Sequence, residues 1–158
     1  KMAAVLGWRT HIAEGRATHA TAKRFPKASE ISVVKPEQFL ENITIDDQTY
    51  FLLMTHNYKY DLAVLKLLLE TNCHYIGILG PKSKFNRMLD DLLIEGITVN
   101  DEQLSRIHSP IGLDIGAETS EEIALSIVSE IKAIASERVG TSLKYKPGKI
   151  HNEIHYGK

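Results

Sequence analysis

Residues 50–79 read YFLLMTHNYKYDLAVLKLLLETNCHYIGIL, and this stretch decides the fold. Tyr50–Met54 is a short run with apolar residues on both sides, which suits a sheet covered on both faces. Tyr60–Thr71 carries Leu62, Val64, Leu65, Leu68 and Leu69, nearly apolar all round, and predicts a well-buried helix. Tyr75–Leu79 is again a short apolar strand. Strand, helix, strand in this order is a βαβ unit, with parallel strands and a right-handed crossover.

The same alternation extends outward in both directions. Strand-like runs lie at Trp8–Ala13 and Ile31–Val34. Helices are predicted at Thr18–Phe25, stopped by Pro26, and at Pro36–Ile43, where proline suits the first helical position. A further helix over Lys84–Ile94 places Phe85, Met88, Leu89 and Leu92 at helical spacing. Thr119 and Glu122 fit a capping box, and Ile123, Ile127, Ile131 and Ile134 continue as one apolar stripe. The pattern predicts a doubly wound, three-layer α/β domain with a mainly parallel sheet over residues 1–137, followed by a tail, 138–158. No internal repeat or low-complexity segment interrupts it.

Composition sets the outer limits. The 158 residues are 43% hydrophobic and 25% charged, as in a soluble globular domain. Nineteen Lys and Arg against twenty Asp and Glu leave a net charge of -1. That balance removes the usual electrostatic case for nucleic acid or an anionic membrane. No apolar run approaches the roughly 18 to 20 residues of a spanning helix. A single cysteine, Cys73, excludes an internal disulfide framework and a multi-cysteine zinc site, and suits a reducing, cytoplasmic setting. The opening residues lack a signal-peptide pattern. They read as the end of a helix stopped at Gly7, so the chain is expected to be a piece of a longer protein.

In a doubly wound fold, ligands bind beyond the carboxyl ends of the strands. Four segments are expected there. Glu14 and Arg16 follow the first strand, and a carboxylate at that place can accept hydrogen bonds from a ribose; the plainer reading is a solvated strand-end carboxylate. His56 and Asn57 follow the Tyr50–Met54 strand and offer an imidazole and an amide, while Asp61 is expected to cap or start the next helix. Gly80 leads a helix start rich in Lys82, Lys84 and Arg87, cations suited to a phosphate unless they simply point into water. Finally, Ser109, Gly112, Asp114 and Gly116 lie in a glycine-containing loop that reads as a tight turn beside a ligand or a purely structural one. Cys73 is expected to be an inert core thiol, and no His spacing, His151 and His155 included, predicts a metal site. No G-x-G-x-x-G occurs. The first strand and its glycine loop are therefore expected upstream of Lys1.

These loops resemble the XdhC/CoxI family. The resemblance rests on Thr55-His56-Asn57-Tyr58-Lys59-Tyr60-Asp61, on Tyr75-Ile76-Gly77-Ile78-Leu79-Gly80-Pro81-Lys82, and on Ser109-Pro110-Ile111-Gly112-Leu113-Asp114-Ile115-Gly116-Ala117 with Thr119–Ile127 after it. Gly7-Trp8-Arg9 leading to Arg16, Ala20, Phe25 and Pro26 extends it over residues 3–136. It implies the Rossmann-like C-terminal domain of a xanthine dehydrogenase accessory protein. Such proteins bind molybdenum cofactor (molybdopterin), support its sulfuration and deliver it to molybdenum hydroxylases, acting as chaperones more than as enzymes. A hydroxylase client and a cysteine desulfurase are the implied partners, and an unpaired edge strand or the tail offers a route to a homodimer. The family's N-terminal domain, often bearing a cysteine linked to cofactor handling, has no counterpart here, and Glu14 stands where Asp is frequent. Two other readings remain open: an NAD(P)-binding oxidoreductase domain, and a regulatory or oligomerisation domain with a vestigial nucleotide site.

Overall fold

The computed structural model describes residues 1–150. They open with α1 (Met2–Val5), and among them five short parallel strands form two sheets. The first pairs β1 (His11–Glu14) with β2 (Glu30–Val33), in register from His11 opposite Glu30 to Glu14 opposite Val33. The second has the order β3-β4-β5, with β3 Phe51–Leu53, β4 Ile76–Ile78 and β5 Ile107–His108. Among the described residues, β1 and β3 each pair with one strand only, and their carboxyl ends meet through a side chain, Arg16 Nη2 donating to the Thr55 carbonyl at 2.9 Å.

Side-chain alternation along β3 and β4 builds the layers. Phe51, Leu53, Ile76 and Ile78 point to one face, against α2 (Tyr58–Leu69) and α3 (Lys82–Ile94), where Val64, Leu65, Leu68, Met88 and Leu92 are completely buried. Tyr50, Leu52, Tyr75 and Leu79 point to the other face, with Ile111 and with Ile127 and Ile131 of α5 (Ser120–Ala135). Gly77 makes this second face possible. A Cβ there would lie 2.2 Å from Ile111 Cδ1, so only glycine lets Ile111 reach the sheet.

Side chains close the starts of α2 and α5. The capping box at Thr119 and Glu122 is formed as expected. The α2 cap is Asn57, whose side chain accepts from the Tyr60 N–H at 3.3 Å, and not Asp61. At the other end of α2, the buried Arg106 guanidinium donates to the carbonyls of Leu69, Thr71 and Cys73, which supplies partners for carbonyls left open past the helix. Cys73 is buried.

Two expected helices are corrected. Thr18–Phe25 is a series of turns, with His19 N–H bonded to the Arg16 carbonyl and Arg24 N–H to that of Thr21. Eight residues with two threonines and no apolar stripe do not repay helix nucleation. Pro36–Ile43 winds as a 3₁₀ turn over Pro36–Gln38 and further i to i+3 turns, which direct Phe39, Leu40 and Ile43 onto the first core. The sequence also passes over two short elements, α4 (Asp101–Ser105), held by a capping box between Asn100 and Gln103, and the two-residue β5. The expected Trp8–Ala13 strand begins only at His11, and Trp8 packs against the second core instead. The described part of the tail carries one 3₁₀ turn, Leu143–Tyr145. Its last stretch, with His151 and His155, lies outside the described residues.

Candidate functional site

The carboxyl edge of the strands carries a continuous line of polar contacts. At the end of β1, Glu14 is buried and accepts three hydrogen bonds from one residue: the Arg16 backbone N–H at 3.1 Å, Nε at 2.9 Å and Nη2 at 2.8 Å. The side-chain bonds from Arg16 hold its carboxyl below the usual range, against the opposing effect of burial. Glu14 is thus the partner of Arg16 and not a solvated strand-end carboxylate.

The end of β3 continues the line. Thr55 Oγ1 donates to Asp61 Oδ1 at 2.7 Å, and Lys84 Nζ donates to Asp61 Oδ2 at 2.9 Å and to the Leu79 carbonyl at 3.0 Å. Asp61 is wholly buried. Gly80, with φ of 134°, gives the Lys84 stem its path, since a Cβ there would lie 2.9 Å from Lys84 Cδ. His56 holds a left-handed backbone, φ 56°, that turns the chain from β3 into the Asn57 cap. On the outer side, Arg87 lies 4.5 Å over the Tyr58 ring, and the Tyr58 hydroxyl donates to Asp91 at 2.6 Å. Burial first, then that bond, pushes the Tyr58 phenol up to about 12. Lys82, Lys84 and Arg87 therefore do not converge: Lys84 serves Asp61, and Arg87 serves Tyr58.

Beyond β5 the chain wraps into a loop that walls a cavity of about 500 Å³. Lys82, Gly112, Asp114 and Gly116 line it together, with Ile123 and Ser126 of α5. Gly112, φ 107°, and Gly116, φ 71°, both use the backbone freedom expected of them. The amides of Asp114, Ile115, Gly116 and Ala117 have no hydrogen-bond partner among the described residues. The residues around the cavity thus include an exposed carboxylate, an ammonium group and four successive residues whose amides have no hydrogen-bond partner among the described residues. Glu14, Arg16, His56, Asn57, Gly80, Lys84 and Arg87 do not line it, nor does Ser109, whose buried hydroxyl has no partner among the described residues.

The sequence reading gives no site role to Tyr75, Ser126 or Glu130. The Tyr75 hydroxyl donates to Glu130 Oε2 at 2.6 Å, and burial followed by that bond raises its pKa. Ser126 and Glu130 flank the isoleucine stripe of α5 one turn apart, and that spacing was the available signal. Among the described residues no group of three or more His, Cys, Asp and Glu side chains is arranged to hold a metal ion, and no helix is long and apolar enough to cross a membrane.

Residues 1–131 match the family described as the XdhC Rossmann domain. The chain belongs to that family. It is 34% identical over 130 residues to a probable xanthine dehydrogenase subunit of Bacillus subtilis (strain 168), covering 82% of this chain and 37% of that protein. It is 30% identical over 148 residues to the uncharacterized protein YqeB of Escherichia coli (strain K12), covering 92% of this chain and 26% of that one. A crystal structure of a xanthine dehydrogenase from Bacillus halodurans matches with a TM-score of 0.73 and 32% identity, over 92% of this chain and 40% of its own. This XdhC domain therefore spans well under half the length of these relatives. The family read from the loop residues and the Rossmann-like fold are the ones found.

Proposed function

We propose that this XdhC domain binds molybdenum cofactor as cargo and supports its sulfuration and insertion into a xanthine dehydrogenase-type hydroxylase. One observation carries the reading: Lys82 and Asp114–Ala117, whose amides have no hydrogen-bond partner among the described residues, line a single cavity of about 500 Å³. The donor set fits the pterin end of that group. Lys82 and the amides suit a phosphate, and the Asp114 carboxylate suits the N–H edge of an aminopyrimidine. When bound, the cofactor supplies the molybdenum at which sulfuration takes place, and the chain's own task is to hold and orient the pterin. A client hydroxylase and a sulfur donor such as a cysteine desulfurase are the partners this role needs, and the names of the relatives from B. subtilis and B. halodurans support the first.

A nicotinamide-dependent oxidoreductase would use the acidic residue after β1 for a ribose. Here the oxygens of Glu14 are engaged by three donors of Arg16. Anaerobic equilibrium dialysis against molybdopterin, NAD and NADP in parallel tests the proposal. Saturable molybdopterin binding near one per chain, weakened by Lys82→Glu, is expected. Binding of a nicotinamide nucleotide alone, or of none of the three, overturns it.

A further inference from the structure

Three consecutive residues of the cavity loop are pinned in three different ways. The Ile111 N–H donates to the Ile78 carbonyl at 3.2 Å, prolonging the sheet. The Gly112 N–H donates to Glu130 Oε2 at 3.0 Å. Leu113 exchanges bonds with Ser126, its carbonyl accepting from Oγ at 2.6 Å and its N–H donating to the Ser126 carbonyl at 3.4 Å. Immediately afterwards come the four amides that have no partner among the described residues. A fixed anchor thus leads directly into an open stretch of backbone.

Glu130 is the unusual member of the anchor. Its side chain is only 12% exposed, next in sequence to the buried Ile131. A carboxylate can only accept, so both of its close neighbours, the Tyr75 hydroxyl and the Gly112 amide, must aim their hydrogens at it. The His108 ring stacks on Tyr75 at 4.5 Å and brings Nδ1 within 3.6 Å of Glu130 Oε1. Charge-assisted bonds of this kind are stronger and more directional than neutral ones.

We propose that Glu130 is the positioning residue of the cavity: its carboxylate, with Ser126, fixes Ile111–Leu113 so that Asp114–Ala117 is presented beside Lys82. The consequence for affinity rests on the pterin-binding reading above, whereas the consequence for the loop does not. The experiment compares the chain with Glu130→Ala and Glu130→Gln. Amide hydrogen exchange at Gly112 is read without ligand, and molybdopterin affinity is read separately. Glu130→Ala is expected to speed Gly112 exchange and to lower affinity, each by about tenfold, the equivalent of one lost charge-assisted bond. Glu130→Gln keeps an acceptor oxygen and is expected to recover most of both. Should Glu130→Ala prove unfolded, Glu130→Gln with a near-native Gly112 signal and affinity still supports the assignment. Unchanged Gly112 exchange in Glu130→Ala overturns it, as does a folded Glu130→Gln no better than the alanine variant. Faster Gly112 exchange with unaltered affinity overturns the link to the cavity. If the unmodified chain binds no molybdopterin, the functional reading fails, and Gly112 exchange still decides the role of Glu130.

Discussion

Asp61 and Lys84 form an ion pair at 2.9 Å with the carboxylate wholly buried, tying the first turn of α2 to the first turn of α3 above the ends of β3 and β4. The same contact holds the Leu79 carbonyl at 3.0 Å and, through Asp61, the Thr55 hydroxyl at 2.7 Å. It converts two residues that look like a cap and a ligand cation into one internal brace.

Removing one partner of a buried pair leaves the other without compensation, at a cost of about 3–5 kcal/mol. Lys84→Met is expected to destabilise the domain by that order, read from the urea midpoint at constant m. The double variant Asp61→Asn, Lys84→Met removes the stranded charge while keeping an acceptor for Thr55, and is expected to recover a large part of the loss. A Lys84→Met variant within about 1 kcal/mol of the parent would show that the pair braces nothing.

Lys82 behaves in the opposite way. It lines the cavity, is exposed, and makes no ion pair among the described residues. Lys82→Glu is expected to leave the unfolding midpoint within about 0.5 kcal/mol of the parent, as exposed substitutions do. It is expected to weaken an anionic ligand by about tenfold or more, the scale of a charged hydrogen bond. Calorimetric titration with molybdopterin beside an unfolding curve separates the two, and equal affinity in the two proteins removes Lys82 from the site.

The contrast between Lys82 and Lys84 shows what the sequence makes legible. Both stand in the same helix turn, two residues apart, with the same charge. What separates them is Asp61, on a different helix, and one sequence cannot announce that pairing. The βαβ reading of 50–79 survives because its signal is local, in apolar runs of the right length. Thr119 with Glu122 is likewise local and is found in place. Thr18–Phe25 fails because its helical signal is weak and no partner surface sustains it. Glu130 is hidden for another reason: on a surface helix a glutamate is ordinary, and only the Gly112 amide and Tyr75 hydroxyl give it a task.

Acid should loosen the β1 end in a predictable direction. Arg16 depresses the pKa of Glu14 in the folded chain, so the ionised form contributes stability above the unfolded carboxylate range, roughly pH 4 to 5. That contribution is lost as pH falls through the lower, folded value. Arg16→Met abolishes the depression and the bond to the Thr55 carbonyl. Its stability is therefore expected to be lower than the parent's at pH 7, with the gap narrowing as pH falls below the unfolded carboxylate range to the share that the Thr55 bond contributes. Parallel urea curves at several pH values test this, and a constant gap between the two proteins across the range rejects the assignment.

Gly112 and Gly116 provide the sharpest separation of fold from site. Both have positive φ, 107° and 71°. A Cβ at Gly112 would meet Ser126 Oγ at 2.4 Å and Ser126 Cβ at 3.3 Å, inside the anchored segment, whereas a Cβ at Gly116 meets nothing within 4 Å. Gly112→Ala therefore adds a clash to the backbone strain and is expected to cost about 2–4 kcal/mol. Ser126→Ala in the same chain removes the 2.4 Å contact but keeps the Cβ, so it should restore only part. Gly116→Ala carries the backbone strain alone, about 1–2 kcal/mol. If a ligand lies against the open amides, however, the added methyl stands where the backbone must be approached closely, and affinity falls beyond what the small loss of stability explains. Equal loss of affinity and stability in Gly116→Ala would mean that the loop is a structural turn, and that the anion is held elsewhere along the carboxyl edge.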